Sequence, residues 1–131
     1  MSREMKVTFP DGTKVEALYR NFVIKTDQPV YQGGEGSAPA PFDLFLASIA
    51  TCSAWYVLFF CQKRNISLEG ASLIQETQKN PETKMIEKII ITVQLPEGFP
   101  EKYKKAVIKS IDQCAVKDHI ENAPLFEVKT T

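Results

Sequence analysis

Over the first quarter of the chain, hydrophobic and polar residues alternate at a period of two. Met5, Val7 and Phe9 alternate with polar neighbours, Pro10-Asp11-Gly12-Thr13 supplies a turn, and Val15, Ala17 and Tyr19 resume the alternation. That pattern predicts a β-hairpin. Arg20-Asn21 predicts a second tight turn into Phe22-Val23-Ile24, so three strands open the chain. Residues 27 to 41 carry three prolines and three glycines without periodicity and read as a loop.

The pattern then changes in kind. Leu44 to Cys61 runs for 18 residues without a charge. Pro41 suits a first helical turn, Asp43 the positive end of a helix dipole, and Lys63-Arg64-Asn65 a C-terminus. A helix from Phe42 to Arg64 would be ~34 Å long. The apolar run reaches the lower limit for a membrane span. Ser48, Thr51 and Ser53 dilute it, however, and amphipathic patterns follow it, so a helix buried on nearly all sides is expected and no membrane partner. One small sheet covers only one side of such a helix. The other side calls for a second copy, which predicts a homodimer.

Beyond the helix, Leu68 to Gln78 and Met85 to Leu95 are strand candidates joined across 79–84, with Ile89, Ile91, Val93 and Leu95 on one face. Pro100 and Glu101 open an amphipathic helix in which Tyr103, Val107, Ile111 and Cys114 fall at helical spacing. A last strand, Leu125 to Lys129, completes a predicted α+β order of βββ-α-ββ-α-β. At 131 residues the chain has the size of one domain, read as 1–131. Sixteen basic residues balance sixteen acidic ones, so no net field favours nucleic acid or an anionic membrane. The N-terminal MSREMKVTF has no apolar core of a secretory leader, and three cysteines is an odd number. Both point to the cytoplasm and to free thiols.

Cys52 and Cys114 are the candidate chemistry. They lie 62 residues apart, too far for a metal knuckle or a CxxC pocket, which leaves a tertiary meeting or a coincidence. Cys52 sits mid-helix with Ser48 and Tyr56 on its face, while Cys114 continues the inward stripe of its own helix. Cys61, nine positions after Cys52, is half a turn away at about 100° per residue and reads as a small apolar core or interface residue. Buried free cysteine is often inert, so the spacing alone leaves the thiols' role open. The single histidine, His119, reads as a partly exposed helix-end residue, and a metal site would lack ligands. Gly33-Gly34-Glu35-Gly36 lacks the lysine of a phosphate loop, so no cofactor is expected. Trp55 and Tyr56 read as core or interface aromatics, or as the wall of an apolar pocket.

The stretch GGEGSAPAPFDLFLASIATC, with a proline, an acid two residues later and a cysteine nine beyond the acid, resembles the OsmC/Ohr superfamily of organic hydroperoxide-reducing proteins. SIDQCAVKDHI resembles the segment carrying that family's second cysteine. Among its branches the YhfA-like one is most similar. The resemblance implies an α+β homodimer with interlocked subunits around long central helices. It also implies a two-cysteine cycle. Cys52 would attack the peroxide O–O bond, giving a sulfenic acid and an alcohol; Cys114 would condense with it, and an external dithiol would reduce the disulfide. Asp43 stands where the family has a glutamate.

The resemblance also has a gap. Family peroxidases pair that glutamate with an arginine, yet residues 21 to 43 contain no arginine and Lys25 is their only cation. A flexible ammonium does not reproduce a bidentate guanidinium, and an apolar site without a cation raises a thiol pKa. Three readings therefore stand: a hydroperoxide reductase, a non-catalytic or sensing protein binding a small hydrophobic or electrophilic ligand beside Cys52, and a sulfur-handling protein with Cys52 as carrier.

Overall fold

The computed structural model describes residues 3–131. Residues 1–2, the start of the expected domain, lie outside the described residues. The chain forms two compact units, Met1–Ala47 and Ser48–Thr131.

In the first unit, β1 (Lys6–Thr8), β2 (Val15–Tyr19) and β3 (Phe22–Thr26) form an antiparallel sheet in the order β1-β2-β3. The Pro10–Thr13 turn closes with the Lys14 amide donating to the Asp11 carbonyl at 2.9 Å. Arg20 takes φ 54°, so the two-residue turn that pairs Tyr19 with Phe22 is built on a left-handed residue. The loop after β3 is ordered by Asp27. This side chain is fully buried and accepts from Thr13 Oγ1, from Ser37 Oγ, and from the amides of Gln28, Glu35 and Ser37. Gly34 lies so close to the Gln28 carbonyl that a Cβ would sit 1.9 Å from its oxygen.

Helix α1 spans Pro41–Lys63, one residue earlier than expected at each end. Asn65 at φ 53° terminates it, and the Ile66 amide returns to the Cys61 carbonyl at 2.9 Å. Its length and composition would also suit a membrane span, with mean hydropathy 1.9 over 18 residues. The expected all-round burial is not met within one chain. Ile49, Ser53, Val57, Phe60 and Cys61 are buried, whereas Trp55 is 49% exposed and Leu58 and Phe59 are also open. The residues that a single chain supplies cover one stripe of the helix, and the rest stays uncovered.

The second unit continues with β4 (Ser72–Lys79) and β5 (Ile86–Gln94), an antiparallel pair. Strand β4 starts four residues later than expected, because Leu68–Ala71 is a turn closed by the Ala71 amide and by Gly70 at φ 82°. In the β4–β5 connection the Asn80 side chain accepts from the amides of Glu82 and Thr83. Ile91, Val93 and Leu95 pack against a core of Val57, Phe60, Cys61, Phe99, Val107 and Ile111.

Two expectations about the C-terminal part are corrected. Instead of one helix from Pro100 through Cys114, there is a 3-10 turn (Glu101–Tyr103), α2 (Lys104–Lys109), a second 3-10 turn (Ser110–Gln113) and α3 (Ala115–Glu121). Ser110 Oγ folds back onto the Val107 carbonyl at 2.5 Å, and Cys114 adopts ψ 116°, outside the helical range, which ends the run. The final strand, Leu125 to Lys129, does not form. These residues have no ladder partner among the described residues, and Leu125, Phe126 and Val128 are 87–100% exposed.

Candidate active site

The break at Ser110–Cys114 decides where the second thiol points. Had the helix continued, Cys114 would be one more residue on an inward stripe. Instead it is the N-cap of α3, fully buried, with its Sγ accepting from the Lys117 amide at 3.5 Å. The Cys52 side chain, half-buried on α1, and the Ser53 side chain next to it lie near enough to Cys114 to influence its ionisation. Thus the two thiols singled out in the sequence meet. Burial alone would push the Cys114 thiol up. The amides of Lys117 and Val116 and the side chains of Cys52 and Ser53 outweigh it and hold the thiol below its ordinary value. All four donors are neutral groups.

Ser53 escaped the sequence reading as anything but a polar break in an apolar run. Its signal lies in the spacing: Ile49, Ser53 and Val57 recur every four residues and form the buried stripe of α1. Its hydroxyl also donates to the Ile49 carbonyl at 2.7 Å.

The other candidates sort differently. Asp43 lies in the first turn of α1 within the first unit, where its carboxylate accepts from the Ala40 amide at 3.0 Å. Cys61 is fully buried and its thiol is raised by burial, with Arg64 opposing, as suits a core residue. His119 is exposed and its Nδ1 lies 2.6 Å from the Ala115 carbonyl in α3. Among the described residues no group of three or more His, Cys, Asp or Glu side chains is arranged to hold a metal ion.

Two cavities flank this part of the second unit. One, of about 360 Å³, is walled by isoleucines, among them Ile49 and Ile111, which stand one turn before Cys52 and Cys114. Lys117 and Asp112, paired at 3.2 Å, line it as well. The other, of about 430 Å³, lies between α1 and the β4–β5 pair and includes Trp55, Leu58 and Val93.

A sequence model of the OsmC-like protein family matches residues 34–129, which include both thiols and the whole second cysteine segment. The chain belongs to this family. Solved structures agree on the fold. An OsmC-like protein of Mycoplasma pneumoniae superposes with a TM-score of 0.72 at 13% identity, over 94% of this chain and 89% of the other. A Psychrobacter arcticus 273-4 protein, provisionally assigned to osmotic stress induction and detoxification response, gives 0.74 at 22% identity over 90% and 87%. A Legionella pneumophila organic hydroperoxide resistance protein OsmC gives 0.56 at 23% identity over 92% and 89%. No curated protein sequence matches this OsmC-like chain.

Proposed function

We propose that this OsmC-like chain reduces organic hydroperoxides through Cys52 and Cys114. The observation that carries the reading is the proximity of a half-buried free thiol on α1 to a fully buried free thiol at the start of α3, whose ionisation it influences. Cys52, the member with solvent access, attacks the peroxide oxygen and becomes a sulfenic acid as an alcohol leaves. Cys114, already in contact, displaces hydroxide to give the disulfide, and an external dithiol restores both thiols. The isoleucine-walled cavity, lined by Ile49 and Ile111 three residues before each thiol, suits the apolar part of a small hydrophobic hydroperoxide. A Legionella relative's name as an organic hydroperoxide resistance protein supports the same chemistry. Asp43 enters as the carboxylate that pins residue 40 to the start of α1. Free thiols in such a cycle suit a reducing compartment, the cytoplasm.

The working unit in this reading is a homodimer forming one continuous domain pair. Support comes from the open face of α1, with Trp55 stacked on Phe59 at 5.8 Å and both exposed, and from the unpaired apolar residues of the C-terminal segment. The other cavity, lined by Trp55 between α1 and the β4–β5 pair, favours a second reading, binding of an apolar ligand without turnover.

The test is mass spectrometry of reduced protein exposed briefly to cumene hydroperoxide, with peptides mapped. A Cys52–Cys114 disulfide with Cys61 still free is expected. Thiols that stay reduced, while a control peroxidase is oxidised, would exclude hydroperoxide reduction and leave the ligand-binding reading.

A further inference from the structure

We propose that the isoleucine-walled cavity restricts the chain to small, uncharged hydroperoxides and turns away those that carry a carboxylate, with Glu121 and the Asp112–Lys117 pair setting this preference. The inference deepens the hydroperoxide reading and rests on it for the reaction, whereas selection of an uncharged ligand does not itself need a peroxide.

The walls come from three parts of the second unit. Ile49 stands on α1, Ile89 and Ile91 on β5, and Ile108, Ile111 and Ile120 on the segment from α2 to α3. Ile49 and Ile111 each precede one of the two thiols by three residues, so the cavity shares walls with the stretches of chain that carry them. These two are buried, whereas Ile108 and Ile120 are about half exposed and mark the mouth. Isoleucine is stiff at its branched Cβ, which keeps the shape of such a cavity fixed. The volume of about 360 Å³ lies at the small end of ligand pockets and suits a single ring or a short branched chain.

Beyond the isoleucines the lining consists of Asp112, Lys117 and Glu121. None of the lining residues has a hydroxyl, amide or ring N–H side chain, so a polar substituent that enters loses its water and gains no neutral side-chain partner. The one cation among them is already engaged: Lys117 Nζ lies 3.2 Å from Asp112 Oδ1. Glu121, one turn further along α3, is exposed and adds a second carboxylate. Two carboxylates and one ammonium leave a net negative charge at the cavity. An incoming carboxylate therefore meets repulsion and a cation whose partner is already in place, while a neutral hydroperoxide meets neither obstacle.

The reaction leaves the organic group free to be selected. Two thiols and ROOH give a disulfide, ROH and water; the two sulfurs are oxidised, the peroxide O–O bond breaks and the R–O bond stays intact. The walls act on the part of the substrate that the chemistry does not change.

Cumene hydroperoxide, its 4-carboxy derivative and the methyl ester of that derivative test the selection, because acid and ester share bulk and differ in charge. Two readouts run in parallel: the rate of Cys52–Cys114 disulfide formation with each peroxide, and the displacement of labelled isoleucine methyl signals by the corresponding alcohols, which bind without oxidising anything. At low salt the ester should exceed the acid about tenfold in both. The ratio should narrow about threefold at about 0.5 M salt. Glu121→Gln should narrow it by a similar factor, and Asp112→Asn, which releases Lys117, by more. Should either variant not fold, the salt series on the wild type decides. An acid that matches its ester, or alcohols that leave the isoleucine signals in place, would overturn the inference. So would signals that follow protein concentration alone, which would assign the mouth to a second copy. An ester-bearing alcohol preferred over its acid, in a protein whose thiols ignore all three peroxides, would uphold the selection and sink the hydroperoxide reading.

Discussion

Asp27 shows how one side chain orders a loop. It has no exposed surface, and five donors drawn from residues 13 to 37 converge on it. The Thr13 hydroxyl is the largest of the influences that hold its carboxyl below the usual range, followed by Ser37. A carboxyl depressed in the folded state adds stability above its unfolded value near about 4, and that contribution is lost as the pH falls further. Thermal melts of the wild type should therefore hold level from about pH 7 to about pH 5 and drop below about pH 4. Asp27→Ala should lower the neutral-pH Tm by about 5 °C or more and flatten the acid limb. None of this was legible in the sequence, where Asp27 is only the first residue of a loop. Its donors sit in separate turns, and three of them are backbone amides that leave no mark on residue type. The thiols were legible for the opposite reason: cysteine is rare, and the surrounding motif resembles a family in which such residues meet.

At the scale of elements, local signals carried the strands and α1. Alternation and turn chemistry placed β1, β2 and β3 within a residue or two, and the charge-free run from Leu44 to Cys61, with Pro41 and Asp43 before it and Lys63 after it, placed the long helix. The segment from Pro100 to Glu121 failed, because Tyr103, Val107, Ile111 and Cys114 keep an inward direction through two 3-10 turns that tighten the winding without reversing it. A helical period therefore survives where a continuous helix does not. Val107 is the pivot of this segment, with no exposed surface among Val57, Phe60 and Ile111. Val107→Ala removes two methyl groups from a packed site and should cost about 2 to 3 kcal/mol in urea unfolding, with an unchanged slope. The last strand was misread for a different reason: the alternation of Leu125 to Lys129 is genuine, but a strand needs a neighbour to bond to.

The whole molecule is where a single chain is least self-sufficient. Phe22 is 66% exposed on β3, Trp55 is 49% exposed on α1, and Phe126 is 87% exposed beyond α3. Large exposed side chains of this kind are what a second copy would cover in the proposed homodimer. In the homodimer proposed above, the C-terminal segment finds its ladder on the second copy. Truncation after Asn122 should then shift sedimentation from dimer to monomer at micromolar concentration. A dimer that persists unchanged would place the interface on α1 alone.

The cage around Asp27 also has a consequence for descent with modification. Three of its five bonds come from backbone amides, which every residue but proline supplies, and the Gly34 contact excludes any side chain at one point only. Val30 and Tyr31, held between these anchors, point outward at 73% and 85% exposure. Their identity can drift while the frame beneath them stays put, so this loop is a place where related chains can acquire new preferences without relearning how to fold.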